Sequence, residues 1–399
     1  MSRSAAVSLA AALSLAACAD APTAPTPHTA VPISISADAA AVPFAWASVV
    51  TGETGPGAQY ALYVPPNWNG GDVVYYAHGI VDPALDPSLP TANGIEALRD
   101  ALGAQGYAVA YSSFSETGWA VKDGAQRTHQ LRGIFTSNFG KAERSYLMGH
   151  SLGGLIVEDL AEQHGSQYDG VLAMCAPLGG SVNEINYIGD VRVLFDYFYP
   201  GVLPGDAITV PPNTNLNAVL GAAQAAIMLN PAPAVGIMPR LLPIPGNNPT
   251  EIITSILTAI GYDIREADDA TARAHGHPFF DNSTRTYTGA LPQPLLAAIN
   301  AGVTRYTATP DAMNYFEKYY TPDGALKIPT VTIHTTRDPV VPIFHESLFA
   351  SAVSGNDKTS LLLQRTVTAY GHCNFSATDM LSAFQALASW VETGTKPAS

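Results

Sequence analysis

Three residues that are far apart in the chain have the side chains that acyl-transfer chemistry requires. Ser151 lies in the stretch GHSLGG that begins at Gly149, Asp338 lies in TTRDPVVP, and His372 lies in TAYGHCNFS. A serine hydroxyl is a poor nucleophile near neutral pH, so a histidine must take its proton and a carboxylate must orient that histidine. The sequence therefore predicts a catalytic triad in the chain order Ser151, Asp338, His372.

Two other carboxylates are alternatives to Asp338 as the acid of this triad. Asp323 lies in a turn before the preceding predicted strand, and Glu346 lies on the helix after it. Neither is expected to reach a histidine at the carboxyl ends of the strands, so Asp338 is preferred. Five further histidines are predicted to be structural, namely His129, His150, His164, His334 and His345.

Acyl transfer also needs N–H donors that stabilise the oxyanion of its transition state. The backbone N–H of Leu152, directly after the nucleophile, is predicted to be one of them. The second is assigned to the N–H of Ile80, in the loop where His78-Gly79 ends the run DVVYYAHG. The sequence therefore places the oxyanion hole between these two backbone segments.

The nucleophile must stand on a sharp turn between a strand and a helix. RSYLMG has the composition of a strand, and LGGLIVEDLAEQHG that of a helix beginning directly after Ser151. Gly149 and Gly153 suit a strained turn in which backbones approach too closely for a Cβ. The amino terminus of the helix would then direct free N–H groups at the reacting centre.

From Gln59 onward the chain alternates short β-rich runs with helical stretches. This pattern predicts an α/β fold with a mostly parallel twisted sheet and helices on both faces. Strands are predicted over 58–65, 72–79, 107–114, 144–150, 170–177, 329–336 and 361–370, and helices over 93–106, 125–140, 152–165, 341–353 and 376–394.

One interval interrupts this alternation, because roughly 140 residues separate CAPLGG from KIPTVTIHTTRD, far more than an α/β loop needs. We expect a large, mainly helical cap over 181–320, inserted between core segments 43–180 and 321–399. From Ala207 to Thr250 only Arg240 is charged. This apolar stretch either walls a substrate pocket or forms the cap's own core. Trp119 follows a strand end and is predicted either to line the pocket or to pack internally.

The composition excludes some classes of partner. The net charge is −14 and only 13% of residues are charged, so nucleic acid and anionic headgroups are poor partners. His275 and His277 have no accompanying set of cysteines or carboxylates, so no metal site is predicted, and no cofactor either. No feature predicts the oligomeric state.

The first 42 residues carry features of export. One positive charge at Arg3, a short apolar run and Leu15-Ala16-Ala17-Cys18 predict a signal peptide over 1–17, and an Ala/Pro/Thr-rich tether over 18–42. The LAAC sequence resembles the lipobox of bacterial lipoproteins. That resemblance implies lipid attachment at Cys18 and anchoring to a bacterial membrane, on its periplasmic or cell-surface side. A plain secretory signal is the alternative.

Together, YYAHG, GHSLGG, TTRDPVVP and YGHCNF resemble secreted serine esterases and lipases of the α/β-hydrolase superfamily. The resemblance covers roughly residues 57–180 and 321–399 and leaves the cap unmatched. It implies an α/β-hydrolase fold and hydrolysis of a small or lipid-like carboxylic ester through an acyl-enzyme, without a cofactor. A proline-specific serine peptidase of the same fold and a non-catalytic binding protein are the alternatives.

Tannases and feruloyl esterases are similar in one further respect. They carry a cysteine directly after the catalytic histidine, as Cys373 stands here, but its disulfide partner precedes the nucleophile, where this chain has His150. We therefore hypothesise a Cys175–Cys373 disulfide, because Cys175 ends the strand expected next to the nucleophile strand. Two buried free thiols are the alternative.

Overall fold

A computed structural model describes residues 44–90 and 95–398. The predicted signal peptide, the tether and Cys18 lie outside the described residues. The strands are β1 (Ser48–Glu53), β2 (Gln59–Val64), β3 (Val73–Ala77), β4 (Ala108–Ser112), β5 (Ser145–His150), β6 (Gly170–Met174), β7 (Thr330–Arg337) and β8 (Leu362–Tyr370). The helices are α1 (Ile95–Ala104), α2 (Val121–Phe139), α3 (Leu152–His164), α4 (Ser181–Phe198), α5 (Leu216–Leu229), α6 (Met238–Leu241), α7 (Pro249–Arg273), α8 (Gln293–Gly302), α9 (Pro310–Tyr320), α10 (Phe344–Gly355) and α11 (Ala377–Thr393).

The strands form one sheet in the order β1-β2-β4-β3-β5-β6-β7-β8. Strands β3 to β8 run parallel to one another, and β1 and β2 are antiparallel additions at one edge. The predicted α/β class with a mostly parallel sheet is confirmed. Strand β1 was missed, because its residues alternate only between exposed and half-buried, as suits an edge strand, and so show no buried apolar run.

Helices cover both faces of the sheet, and successive strand residues point to opposite faces. Tyr75 and Leu147 join a core that includes helices α2 and α3, whereas Tyr76 and Met148 join a second core with α1 and α11. Every residue of β3, β5 and β6 is buried. The continuous apolar runs of these strands are therefore explained by burial on two sides.

The insertion between β6 and β7 contains helices α4 to α9 and, in this described stretch, no strand. The mainly helical cap is thus confirmed. The apolar stretch 207–250 forms a core, because Val219, Ala223, Ile227 and Met238 are buried in the cluster that continues into the main domain. This outcome favours the packing interpretation of that stretch over the pocket-wall one.

Helix α5 nevertheless leaves large apolar side chains at the surface. Met228 is 67% and Leu229 88% exposed. Among the residues that the structure describes, no single helix has the length and apolar composition needed to cross a bilayer. One pair of segments, Leu216–Leu229 and Pro233–Leu241, meets those criteria only when taken together and is bent by 82°.

Candidate active site

Ser151 stands on a strained turn between β5 and α3. Its φ is 54° and its ψ is −126°, a conformation that residues other than glycine rarely adopt. A Cβ on Gly153 would come within 2.1 Å of the carbonyl oxygen of Ala77, and a Cβ on Gly149 within 2.1 Å of that of Gly153. Only glycine fits these two positions, so the flanking residues of the motif have a direct steric explanation.

Asp338 and His372 are joined by a short hydrogen bond. Nδ1 of His372 lies 2.8 and 3.0 Å from the two carboxylate oxygens of Asp338, which is completely buried. Asp338 Oδ1 also accepts the backbone N–H groups of Val340 at 2.9 Å and Val341 at 3.0 Å. These bonds fix the carboxylate, so the imidazole carries its hydrogen on Nδ1 and presents a free lone pair at Nε2.

That Nε2 atom is buried and has no hydrogen-bond partner among the described residues, Ser151 Oγ included. His372 is nevertheless held near the nucleophile turn, because the adjoining Cys373 is bonded to Cys175 and the backbone N–H of Ser151 donates to the carbonyl oxygen of Met174 at 2.8 Å. In hydrolases without substrate the bond from serine to histidine is often long and tightens only during the reaction. The geometry leaves His372 ready to accept a proton at Nε2.

The residues of the two predicted oxyanion donors, Leu152 and Ile80, line one small cavity together with Ser151. A Cβ on Gly79 would lie 3.1 Å from the Cβ of Ser151, so the loop after β3 passes directly beside the nucleophile. Crossovers leave β3 and β5 in opposite directions along the sheet. In open α/β sheets the crevice at such a switch point is the usual ligand site.

His78 has a supporting position in that loop. It stacks on Phe114 with ring centroids 3.8 Å apart, and its Nδ1 lies 2.7 Å from the carbonyl oxygen of Gly79. Burial lowers the pKa of His78, so the ring is neutral. Its Nδ1–H therefore donates to the carbonyl oxygen of Gly79.

Two further histidine–carboxylate pairs are buried near the triad. Glu346 is one of the two alternatives to Asp338. Its Oε1 lies 3.2 Å from Nδ1 of His334, and its Oε2 accepts a hydrogen bond from Thr332 Oγ1 at 2.6 Å, so its carboxylate binds these residues and not His372. Burial on its own would lower the pKa of His334. The hydrogen bond to Glu346 and the charge of Glu346 outweigh this effect, so the pKa of His334 is raised. Asp323 is likewise engaged by the backbone N–H of Ala325.

The other pair joins Nε2 of His345 to Glu184 at 2.8 Å, while Nδ1 of His345 accepts the backbone N–H of Gly179. Burial lowers the pKa of His345 to about 3 and raises the pKa of Glu184 well above its usual range. The imidazole is therefore neutral and donates to Glu184, which also lines the cavity at Ser151.

Cys175 and Cys373 are linked by a disulfide, with Cα atoms 5.3 Å apart. It joins the carboxyl end of β6 to the residue directly after His372. In the described part of the chain, the only close group of three or more residues of types that ligate metals is Cys175, His372 and Cys373. Since its two sulfur atoms are bonded to each other, this group does not form a metal site. His275 and His277 are outside it.

Trp119 lines the cavity at Ser151 and also a second small cavity that is bordered mainly by residues of the cap. Its Nε1–H donates to Ser181 Oγ at 2.7 Å. Five lining residues were missed by sequence reasoning, namely Pro177, Glu184, Tyr262, Val340 and Val341. Pro177 could have been found from its place after β6, whereas Glu184 and Tyr262 lie in the insertion, where no motif marks them.

The order of the elements decides the fold. The strand order is 1-2-4-3-5-6-7-8 with β2 antiparallel, and the serine, the acid and the histidine follow β5, β7 and β8. The chain has the α/β-hydrolase fold. No protein-family model matches the sequence, and no curated protein matches it either.

Several solved α/β-hydrolase structures are similar at low sequence identity. Feruloyl esterase B from Aspergillus oryzae is 12% identical, with 88% of this chain and 80% of that chain covered and a TM-score of 0.47. The acylaminoacyl peptidase of Pyrococcus horikoshii is 10% identical, with 88% of this chain but only 42% of that one covered and a TM-score of 0.45. Est1E from Butyrivibrio proteoclasticus is 11% identical, with 86% and 98% covered and a TM-score of 0.39.

Proposed function

We propose that the protein is a serine hydrolase that cleaves carboxylic esters through an acyl-enzyme intermediate. The observation that carries the proposal is the hydrogen bond from Nδ1–H of His372 to the buried Asp338, which leaves Nε2 free beside the nucleophile turn. This arrangement stabilises the charge that the imidazole gains when it takes a proton.

In the proposed reaction Ser151 Oγ attacks the ester carbonyl carbon and transfers its proton to Nε2 of His372. The backbone N–H groups of Leu152 and Ile80 stabilise the oxyanion of the tetrahedral intermediate. The intermediate collapses as His372 returns the proton to the departing alcohol. Water, activated by the same Nε2, then attacks the acyl-enzyme and releases the acid with free Ser151.

The walls of the cavity support an uncharged, largely apolar substrate group at the serine. Ile80, Trp119, Pro177, Val340 and Val341 surround Ser151 there. Burial of apolar substrate surface against such walls is favourable, and excluding water strengthens the hydrogen bonds to the oxyanion.

A panel of substrates tests the reaction class. We expect hydrolysis of p-nitrophenyl acyl esters graded by acyl length, and no comparable hydrolysis of aminoacyl p-nitroanilides. Ser151→Ala should lower kcat for the esters on the order of 10⁶-fold. The matched control is Ser166→Ala, an exposed serine just after α3, which should keep full activity. Preferential cleavage of the anilides would favour the peptidase alternative.

We also propose that the enzyme is exported and anchored through lipid at Cys18. The Cys175–Cys373 disulfide supports export, because disulfides persist in oxidising compartments. Radiolabelled palmitate should be incorporated into the full chain expressed in a bacterial host, and Cys18→Ser should abolish the incorporation. Unchanged labelling in that variant would refute the anchor.

A further inference from the structure

Glu184 of helix α4 is a buried carboxyl group in the wall of the cavity at Ser151. Only 1% of the residue is exposed, and most of the other side chains that line this cavity are apolar. Neither an arginine nor a lysine is among the described residues of that wall. The proposed reaction steps do not use Glu184, so a carboxyl group that shares a small cavity with the nucleophile has no role in them.

His345 determines how Glu184 can use its two oxygens. Nδ1 of His345 accepts the backbone N–H of Gly179 at 3.1 Å, so this nitrogen does not carry a hydrogen. The hydrogen of the imidazole is therefore on Nε2, which donates to Oε2 of Glu184 at 2.8 Å. The pair consequently contains a neutral histidine, and Oε2 is the acceptor of its hydrogen bond.

The second oxygen of Glu184, Oε1, is accessible from the cavity. No described residue forms a hydrogen bond with it, and it is not one of the enclosed atoms that lack a partner. Burial raises the pKa of Glu184 well above its usual range, and the negative charge of Asp338 raises it further. With no cation in the wall, the side chain is a carboxylic acid near neutral pH. Because Oε2 is the acceptor, the acid hydrogen is on Oε1 and can be donated into the cavity.

The positions of the other reacting groups indicate which part of an ester meets this donor. The carbonyl oxygen is bound by the N–H groups of Leu152 and Ile80. The leaving alcohol and the attacking water must both contact His372, which is not among the described residues that line the cavity. The acyl group is the part of the ester that remains, and it must therefore enter the cavity beside Glu184.

The cavity limits the size of what it can receive. Its free space is roughly that of one or two water molecules, so it admits only the first atoms of an acyl chain. A hydroxyl has the size of a water molecule and can accept the hydrogen of Oε1 without the burial of a charge. A methyl group of the same size leaves that buried donor without an acceptor, which is unfavourable.

We propose that Glu184 is a specificity-determining residue that donates a hydrogen bond to a hydroxyl on the acyl carbon next to the ester carbonyl, an inference that rests on the proposed esterase function. The favoured substrates are then esters of small 2-hydroxy acids. An ammonium group at the same carbon is disfavoured, because a neutral carboxylic acid does not compensate a buried positive charge.

The test compares three ethyl esters with acyl groups of similar size on the full chain. Ethyl glycolate carries the hydroxyl, ethyl propanoate carries a methyl group, and glycine ethyl ester, below the pKa of its amine, carries an ammonium group. For the first two, kcat/KM is divided by the rate constant of alkaline hydrolysis of the same ester, which corrects for intrinsic reactivity. The corrected value for ethyl glycolate should exceed that for ethyl propanoate at least about tenfold. Glycine ethyl ester should have the lowest kcat/KM of the three.

Substitutions of Glu184 test whether this residue causes the preference. Glu184→Gln can keep both hydrogen bonds, because the amide oxygen can accept from His345 while the amide nitrogen donates into the cavity. The corrected ratio of glycolate to propanoate should persist in this variant and fall to near one in Glu184→Leu. Both esters are measured on one preparation, so the ratio does not depend on the folded fraction. Glu317→Leu removes an exposed carboxylate of α9 and should leave the ratio unchanged.

The outcomes separate this inference from the proposed function. Hydrolysis of p-nitrophenyl acetate by the wild-type protein and its absence from Ser151→Ala test the esterase function alone. A wild-type ratio near one, a ratio that is lost in Glu184→Gln or unchanged in Glu184→Leu, or a preference for glycine ethyl ester would each overturn the role of Glu184. A wild-type protein that hydrolyses none of these esters would contradict the proposed function itself.

Discussion

The carboxyl edge of the sheet and the helical cap each contain a buried side chain with an atom that has no hydrogen-bond partner among the described residues, but they support it differently. At the edge, Nε2 of His372 is unpartnered while its other nitrogen is held by Asp338. In the cap, both oxygens of Glu266 are unpartnered. A group held in place by a hydrogen bond on its far side is prepared for chemistry at a fixed point, whereas a buried group with no partner lowers the stability of the fold.

This contrast assigns the chemical step to the edge and an effect on stability to the cap. Changes at the edge should lower turnover of every substrate, including the smallest ester. Changes around Glu266 inside the cap should alter the stability of the fold, while leaving hydrolysis of small esters largely unaffected.

Asp338→Asn should produce the largest effect among these substitutions. An amide cannot fix the imidazole with its hydrogen on Nδ1, and it does not stabilise the imidazolium, so kcat should fall on the order of 10⁴-fold for all esters. Steady-state hydrolysis of p-nitrophenyl acetate measures this.

Asp323→Asn is the matched control. Asp323 is the alternative aspartate for the triad, and its carboxylate accepts the backbone N–H of Ala325. It should retain wild-type turnover. Equal losses of kcat in the two variants would show that catalysis does not depend on the hydrogen bond between His372 and Asp338.

Reducing the Cys175–Cys373 disulfide should have the next largest effect. The closed loop spans 198 residues in sequence, and loop-closure entropy together with native strain places its contribution at about 2–5 kcal/mol. Urea unfolding of oxidised and reduced protein measures the difference, and activity should fall too because Cys373 adjoins His372. Identical unfolding midpoints, or two reactive thiols in unfolded, unreduced protein, would contradict the prediction.

The pH dependence of the free energy of unfolding should reflect the raised pKa of Glu266. Its pKa is about 8 in the folded protein against an ordinary value of 4.5, so the folded state binds the extra proton between those values. Wild-type stability should therefore fall, relative to Glu266→Gln, as pH rises from about 4.5 to about 8, by at most about 1.4 kcal/mol per pH unit. A difference between the two proteins that stays constant with pH would mean that Glu266 is ionised and paired.

Gly221→Ala on α5 should have the smallest effect. An added Cβ there would meet no atom within 4 Å, so the change should stabilise the helix by about 0.4–1 kcal/mol. Thermal unfolding measures the gain, and turnover of every ester should be unaltered. Loss of activity would show that the outer face of the cap takes part in the reaction. That result would contradict the assignment of the chemical step to the carboxyl edge of the sheet alone.

The sequence predicts the edge well and the cap interior poorly, for a physical reason. Ser151, its flanking glycines and Asp338 occupy positions that strand ends dictate, so local pattern and chain order are enough to place them. Glu346 and Asp323, the alternatives to Asp338, form hydrogen bonds with groups other than His372.

Glu266 carries no such local signal, since a carboxylate on an amphipathic helix ordinarily faces solvent. Its burial arises from how α7 packs on α4 and on the loop with Trp119, which is tertiary information. Strand β1 was not predicted for the same reason. Its half-exposed residues form a strand only because they pair with β2, which is also tertiary information.

Covalent labelling with a fluorophosphonate tests the central claim most directly. Peptide mass mapping of the labelled wild-type protein should find a single adduct, on the peptide that contains Ser151. The adduct should be absent from Ser151→Ala and strongly reduced in Asp338→Asn. Labelling that persists in Ser151→Ala would contradict the assignment of Ser151 as the nucleophile.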